Sequence, residues 1–249
     1  MLASSFVVLS LVFSGLASPA ELSKRDGAPV VTKCSTSNVV ALTFDDGPYI
    51  YMKEVVDTLK AAGGKGTFFV NGKNYGCIYD PENVERIKYA YDNGFQIASH
   101  TWSHKDLSTL SWDEIASEME KTEDAIERIT GAKTGFTRPP FGSYNDQVLQ
   151  VAASRSQEIV TWDFDSGDSV GTSPEEQKQL YVNAVSSHPD GILSLQHEVY
   201  ESSARDVLPY AIQQLQDSGY RLVTLAECLG KDPYLSQGTT KDKDDSWQC

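Results

Sequence analysis

The sequence predicts an α/β protein built as a distorted (β/α) barrel, with about seven parallel strands and an active site at their carboxyl ends. Three observations lead to this fold. Short apolar runs alternate with longer segments of helical periodicity, the runs are apolar enough for strands buried on both faces, and polar residues gather directly after them. A doubly wound open sheet is the alternative, because it has the same alternation and also places its site at the strand ends.

The elements follow one another in a regular cycle. The first predicted strand, residues 39–44, runs into an Asp-Asp-Gly-Pro turn, and the helix at residues 53–62 stops at Gly63-Gly64. The longest helix begins after Ser111, which is a good capping residue, and ends at Gly131. The remaining strands are predicted at 66–70, 95–99, 134–137, 158–162, 191–195 and 220–224, and the remaining helices at 81–93, 145–154, from Pro174, and 203–218.

The two ends of the chain differ in composition from the segment between them. Residues 2–17 form an apolar tract that is too short to span a membrane and ends in small residues, which is typical of a secretory signal peptide; a buried N-terminal strand is the alternative. We therefore predict a secreted protein, located outside the cell or in the cell wall. The predicted divisions are a signal peptide at 1–20, a propeptide and lead-in at 21–37 with a dibasic pair at Lys24-Arg25, a globular domain at 38–229, and a polar flexible tail at 230–249.

The charge balance restricts the partners of the protein. The chain has 35 acidic and 21 basic residues and a formal net charge of -14 at pH 7. Nucleic acids and anionic membranes attract Lys and Arg, so this balance argues against a nucleic-acid partner and against stable membrane association. A neutral or cationic ligand fits better. Because the sequence has no obvious exposed apolar stripe, it predicts a monomer.

The four cysteines of a secreted chain are expected to form disulfide bonds. Three pairings are open. We favour Cys34 with Cys228, since Cys34 precedes the first predicted strand and Cys228 follows the last, so that their bond would join both ends of the domain. Cys77 and Cys249 can then pair only if the polar tail folds back over the domain.

The first two polar groups at strand ends have the residue types of a metal site. Asp45 and Asp46 are adjacent carboxylates, which repel each other unless a cation separates their roles. His100 and His104 are four residues apart, so a helical turn would place them on one face. With Asp46 they form a two-His, one-carboxylate set that leaves coordination positions open for water and substrate. The alternatives are an Asp-Gly turn and a pair of solvated surface histidines.

Three further groups follow later strands. Arg138 precedes two prolines and Phe141; an Arg can orient a carboxylate, and rigid prolines can hold a backbone N–H outward as an oxyanion donor. The alternative is a rigid turn with a structural salt bridge. A run of alternating acids occupies residues 163–168, where solvated or helix-capping acids are common. His197 stands beside apolar residues, as a general acid or as a histidine of the core.

Taken in order, these groups resemble the five motifs of the carbohydrate esterase family 4 polysaccharide deacetylases, the NodB-homology domain. The first two motifs are highly specific, and the resemblance covers residues 38–229. It implies the barrel fold and a metal-dependent hydrolase. The motifs are Thr-Phe-Asp-Asp-Gly-Pro at 43–48, His-Thr-Trp-Ser-His at 100–104, Arg-Pro-Pro-Phe at 138–141, Asp-Ser-Gly-Asp at 165–168 and Leu-Gln-His at 195–197.

The resemblance implies a role for each residue of the first two motifs. Asp46, His100 and His104 would bind one divalent metal ion, zinc or cobalt. Asp45 would be the general base, and Arg138 would hold it ionised and aimed at the reacting water. This division agrees with the chemistry, since a bound divalent ion brings the pKa of its water close to neutral and a nearby carboxylate need only accept the proton.

The later motifs complete the reaction. By the same resemblance His197 is the general acid, Asp168 orients it, and Leu195 lines a pocket for the acetyl methyl group. The backbone N–H of Phe141 would stabilise the oxyanion, so that a Phe where relatives usually carry Tyr is tolerated. Ser169 stands where relatives often carry Trp, which affects the packing around Asp168.

For the substrate, the overall pattern is similar to secreted fungal chitin deacetylases, which implies chitin or chito-oligosaccharides. Trp102, Tyr49 and Tyr144 lie in the motif loops, where they can stack on N-acetylglucosamine rings or belong to the core. A peptidoglycan deacetylase and an acetylxylan esterase are alternatives within the same fold, and a non-catalytic sugar-binding protein is a third.

Overall fold

The computed structural model describes residues 27–249. The predicted signal peptide and the pair Lys24-Arg25 lie outside the described residues. The strands are β1 (Val30–Val31), β2 (Val39–Ala41), β3 (Thr43–Asp45), β4 (Thr67–Val70), β5 (Gln96–Ser99), β6 (Ala132–Thr134), β7 (Phe136–Thr137), β8 (Glu158–Val160), β9 (Phe164–Asp165), β10 (Gly191–His197), β11 (Arg221–Val223) and β12 (Tyr234–Gln237). The helices are α1 (Met52–Ala61), α2 (Pro81–Asp92), α3 (Trp112–Thr130), α4 (Asp146–Ser154), α5 (Pro174–Ser187), α6 (Leu208–Asp217) and α7 (Leu225–Leu229).

The main sheet is parallel, as the sequence predicts. Pairing runs from β8 through β7, β5, β4 and β3 to β10, and β10 pairs on its other side with β9. Only residues 161–163 separate β8 from β9 in the chain. Within the described residues no hydrogen-bonded pairing joins β8 to β9, so the parallel strands form a barrel-like sheet that is not closed, with their carboxyl ends at one end.

The first predicted strand is interrupted in the structure. β2 and β3 flank Leu42, and both pair with β10, with Val39 opposite Gly191 and Phe44 opposite Gln196. On the other side the lower half, β2, pairs with β11 and the upper half, β3, pairs with β4. The two halves thus share one partner and differ in the other, a division that an apolar run cannot reveal.

The helices begin and end at the signals in the sequence. Ser111 and Glu114 form a reciprocal capping box at the start of α3, and Gly131 ends this helix in the left-handed region with φ of 77°. Asn145 caps α4 by accepting a hydrogen bond from the N–H of Val148. Within the described residues, no helix has the length and apolar character needed to cross a membrane.

The core fills the space between the sheet and the helices. Its largest cluster joins Phe44, Phe68 and Phe95 to the buried faces of the surrounding helices, and the Phe44 and Phe68 rings lie 5.3 Å apart. The strands of the barrel are buried on both faces, which explains their nearly continuous apolar sequence. Their carboxyl ends are thereby held in fixed positions relative to one another.

The C-terminal segment corrects the prediction of a flexible tail at 230–249. β12 pairs antiparallel with β6, and Trp247 is buried to 9% exposure against the core. Cys77 and Cys249 form a disulfide, as do Cys34 and Cys228, so both pairings considered from the sequence are confirmed. The polar composition misled the prediction because it does not register a single buried Trp or a covalent bond.

Candidate active site

A cavity of about 460 Å³ opens at the carboxyl end of the barrel. Residues from every sequence motif meet there, although the motifs are spread over more than half of the chain. This convergence follows from the parallel sheet, whose strands all end at the same edge. The cavity is lined by Asp45, Asp46, His100, His104, Pro139, Phe141, Gly142, Trp162, Asp165, Ser169, Val170, Leu195, His197 and Tyr200.

Three side chains on one side of the cavity have the geometry of a metal site. Ligand atoms of Asp46, His100 and His104 all lie within 4.8 Å of one another. The Asp46 Oδ1 is 3.2 Å from the His104 Nε2 and 3.7 Å from the His100 Nε2. The His100 Nδ1 lies 2.7 Å from the backbone oxygen of Arg138, a contact that places the ring proton on Nδ1 and leaves Nε2 free to bind a metal. The residues present therefore fit one divalent ion with open coordination positions.

The backbone around these three residues adopts uncommon conformations. Asp46, Thr101 and His104 are left-handed, with φ of 74°, 71° and 55°. Non-glycine residues take this region at a cost, which persists only where the surrounding structure holds them. The histidines are therefore presented by an irregular loop, and the helical turn assumed from their spacing does not form between them.

Asp45 and Arg138 form a buried ion pair directly beside the metal cluster. The Arg138 Nη1 donates to Asp45 Oδ1 at 2.8 Å and to Thr43 Oγ1 at 2.6 Å. The Nη2 donates to the Thr161 backbone oxygen at 2.9 Å, and the guanidinium lies 4.2 Å from the centre of the Phe69 ring. Both charged side chains are almost wholly buried. Because the pair is buried, removing either residue would leave the other as an unpaired buried charge. The contact holds Asp45 in one orientation, with its second oxygen 3.8 Å from the His100 Nε2.

His197 and Asp168 form a second ion pair at the same cavity, where His197 of β10 is the register partner of Asp45 of β3. The His197 Nδ1 lies 2.7 Å from Asp168 Oδ1, and the other carboxylate oxygen accepts from the His197 N–H and the Ser203 hydroxyl, each at 2.8 Å. Burial by itself lowers the pKa of His197, but the hydrogen bond and charge of Asp168, together with the charges of Asp45 and Asp46, overcome it and raise the pKa to about 9. The imidazole is thus held protonated with its Nε2 available to the cavity.

The apolar part of the wall combines predicted and unpredicted residues. Leu195 lies in it as expected, and Phe141 forms its rim, with its ring 4.8 Å from that of His104 and 70% exposed. Val170 is 77% exposed at the same rim. Phe141 is also left-handed, with φ of 61°, after the two prolines. An exposed apolar rim above buried polar groups is typical of a site that binds the apolar face of a ligand.

Three residues predicted to bind substrate do not line this cavity, and their contact with substrate stays a prediction. Trp102 covers Gly72 and packs toward Tyr79, with ring centres 6.3 Å apart, so it is partly buried against the core. The Tyr49 ring packs against neighbouring tyrosines. Tyr144 is 38% exposed outside the cavity wall. Proximity to a motif in sequence does not determine on which side of its loop an aromatic ring lies.

The sequence reasoning missed several residues that support the site. Glu118 of α3 accepts from the N–H and the hydroxyl of Ser103, which fixes the loop between the two histidines. Asn74 donates to Asp46 Oδ1 at 3.2 Å. Trp162 and Tyr200 complete the cavity wall. Trp162 and Tyr200 do stand beside predicted motifs, whereas nothing in the sequence near Asn74 or Glu118 indicates a link to the site.

A β/α barrel with an Asp-His-His cluster, an adjacent carboxylate and a facing histidine at its carboxyl end is typical of metal-dependent hydrolases. Known proteins narrow this class. Residues 32–160 match the sequence profile of the polysaccharide deacetylase family. A chitin deacetylase from Pestalotiopsis sp. is 35% identical over 239 residues, which cover 92% of this chain and 77% of that protein.

Solved structures of deacetylases are similar to this chain as well. The chitin deacetylase from the fungal pathogen Colletotrichum lindemuthianum has a TM-score of 0.79 at 30% identity, covering 83% of this chain and 94% of that one. A peptidoglycan N-acetylglucosamine deacetylase has a TM-score of 0.74 at 29% identity, covering 83% of this chain and 95% of that one. These similarities confirm the predicted barrel-like fold. The chain belongs to the polysaccharide deacetylase family.

Proposed function

We propose that the protein removes N-acetyl groups from N-acetylglucosamine residues of chitin or chito-oligosaccharides, releasing acetate and leaving free amines. One observation carries the proposal: a candidate metal cluster, a buried base and a protonated histidine line a single cavity. Metal-dependent hydrolysis of an amide uses these three functions together. The chitin deacetylases among the similar proteins support the choice of polymer.

Asp46, His100 and His104 would hold one divalent ion, which we propose to be zinc or cobalt. When bound, such an ion activates a water molecule and polarises the amide carbonyl. Two imidazoles and one carboxylate suit both ions, and with only three protein ligands the site remains open to a water molecule and the substrate. The His100 ring is already oriented for this role by its bond to the Arg138 carbonyl.

Asp45 accepts the proton of the attacking water. The Arg138 guanidinium donates to Asp45 Oδ1 at 2.8 Å and holds the carboxylate in one orientation. Thr43, which accepts from the same guanidinium, donates in turn to the Ser194 backbone oxygen. The water oxygen joins the carbonyl carbon, and the oxyanion that develops is stabilised by the Phe141 N–H. Arg138 thus acts through Asp45 as a positioning residue.

His197 donates the proton that the leaving nitrogen needs when the C–N bond breaks. Its raised pKa, caused by Asp168 against the effect of burial, keeps this proton available at neutral pH. The products are acetate and the protonated amine of the sugar. Leu195, which lies two residues before His197 and lines the same cavity, packs against the methyl of the acetyl group.

Peptidoglycan is the second candidate substrate, because a peptidoglycan N-acetylglucosamine deacetylase has nearly the same fold over nearly the same length. The same chemistry could also serve an acetylxylan esterase, whereas a non-catalytic sugar-binding protein would not require both an acid and a base at the cavity. The acidic net charge suits a neutral polymer or a cationic product. The two disulfides support action outside the cell or in the cell wall, as a secreted protein.

The test is acetate release from N-acetylglucosamine oligomers of increasing length. Chelated enzyme and enzyme given back zinc or cobalt are compared, with peptidoglycan and acetylxylan as alternative substrates. We expect metal-dependent release that is faster on the chito-oligomers than on either alternative. Faster release from peptidoglycan or acetylxylan would show that this polymer, and not chitin, is the substrate. Equal release by the chelated enzyme would overturn the metal mechanism.

A further inference from the structure

Two asparagines join the loops that carry the candidate metal ligands. Asn71 lies directly after β4, and its side-chain amide donates to the backbone oxygens of His100 at 2.5 Å and Thr101 at 3.1 Å. Its own N–H donates to the Gly47 backbone oxygen at 2.7 Å. Asn71 therefore connects the residue after Asp46 with the residues that present His100.

Asn74 extends this connection to the metal ligand itself. Its side-chain nitrogen lies 3.2 Å from Asp46 Oδ1 and 3.2 Å from Asn71 Oδ1. The amide orientations follow from the partners. The Asn71 nitrogen faces two carbonyls and must be the donor, so its oxygen faces Asn74, whose nitrogen then donates to both oxygens. A carboxylate oxygen has a second lone pair for a metal, so this bond can persist when an ion is bound.

The loop that carries Asn74 is fixed by the C-terminal segment. Cys77, three residues after Asn74, is bonded to Cys249. Trp247 is 9% exposed, with its ring 5.2 Å from that of Tyr79. The Lys73 Nζ is also 3.4 Å from the Cys249 backbone oxygen. Residues 244–249, here termed the C-terminal strap, thus hold both sides of the short loop at residues 73–79.

We propose that Asn71 and Asn74 are positioning residues of the metal site and that the C-terminal strap maintains metal affinity by holding Asn74 against Asp46. This inference rests on the proposed metal site. Asp46 is left-handed and only one of its oxygens approaches both histidines, so a donor on that oxygen selects the side-chain orientation that binds an ion. The strap acts on the site through Asn74, although it touches no ligand.

The test measures the dissociation constants of zinc and cobalt by competition with a chelator. We expect Asn74→Ala to weaken binding about tenfold, the lower end of the range for lost partners of metal ligands. The visible spectrum of the cobalt-loaded protein should change as well, because the orientation of Asp46 changes. Asn93→Ala is the matched control: this asparagine lies at the end of α2 and bonds Lys60, so its loss should leave the dissociation constants unchanged.

The strap is tested with paired disulfide variants. Cys77→Ser with Cys249→Ser should weaken metal binding about as much as Asn74→Ala, which is on the order of tenfold. Cys34→Ser with Cys228→Ser removes the disulfide that joins the region before β2 to α7, so it should lower the melting temperature but leave metal affinity of the folded protein intact. Trp247→Ala, which keeps all four cysteines, serves if the first pair fails to fold, and it should weaken binding in the same direction.

The combination of variants decides the mechanism. If the strap acts through Asn74, removing the Cys77–Cys249 bond in an Asn74→Ala background should weaken binding no further. Additive losses would overturn the coupling, and unchanged affinity in Asn74→Ala would overturn the positioning role. Wild-type protein that binds neither zinc nor cobalt would instead refute the proposed metal site, which keeps the two failures distinguishable.

Discussion

Two groups at the cavity are built differently: the metal side, which includes the base, and the acid side, which is the His197–Asp168 pair. On the metal side, Asp45, Asp46, His100 and His104 are held by a wholly buried Arg138, by uncommon backbone conformations and by contacts from several loops. On the acid side, His197 depends on one carboxylate, Asp168, which accepts three hydrogen bonds. The metal side is a network of several residues that position one another. The acid side is one ion pair, in which Asp168 is the main group acting on His197.

The difference teaches which changes should be tolerated. Loss of a partner in a buried charge network leaves an unpaired charge and costs about 3–5 kcal/mol. Loss of Asp168 changes the pKa of His197, while the other residues of the site remain in place. We therefore expect changes on the metal side to affect stability and rate, with loss of metal where a ligand is removed, and those on the acid side to leave the metal bound and to affect the rate and its pH dependence.

The largest effect is expected for His100→Ala. It removes a metal ligand whose ring is already oriented by the Arg138 carbonyl, so metal binding and activity should be lost together. The loss of acetate release should exceed about a thousandfold, since the metal supplies both water activation and carbonyl polarisation. Bound metal is measured by elemental analysis beside the rate. His188→Ala is the control, because His188 packs on Tyr220 outside the cavity; a metal-loaded His100→Ala would contradict the ligand assignment.

Asp45→Asn should have the next largest effect on the rate. It removes the base without removing a metal ligand, so turnover should fall by about 10²–10⁴-fold while metal is retained. Because Arg138 then lacks its carboxylate, the melting temperature should also fall. Near-normal rates in the metal-loaded variant would show that another group accepts the proton.

The sequence predicted the two sides unequally. The barrel-like fold, most of the helices and the position of the motifs at strand ends could be predicted because apolar periodicity, capping residues and strand ends are local signals. Asn74 and Glu118 could not, since they reach the site from a loop and a helix whose sequences carry no sign of it. The flexible tail was wrong for a related reason: Trp247 and Cys249 bind distant partners within a polar segment.

His197→Ala tests the acid side directly. We expect turnover to fall about a hundredfold, because protonation of the leaving nitrogen is lost and water can partly replace it. Metal content should remain close to that of the wild-type protein, in contrast to His100→Ala, whereas the melting temperature should fall because the buried Asp168 loses its partner. The comparison between the two sides fails if His197→Ala loses its metal.

Asp168→Asn should have the smallest effect on the maximal rate and the clearest effect on pH dependence. Burial alone lowers the pKa of His197, and Asp168 is the main group that raises it to about 9. A general acid acts only while protonated, so activity falls as the pH rises through its pKa. Without the carboxylate charge, this alkaline fall should move to lower pH. A bound cation lowers the pKa in both proteins, so the informative quantity is the difference between their pH–rate profiles.

Ser203→Ala, which removes one neutral donor from Asp168 and keeps the charge, should leave the alkaline limb in place or move it slightly upward. Identical profiles for wild type and Asp168→Asn would mean that the fall in rate reports a group other than His197.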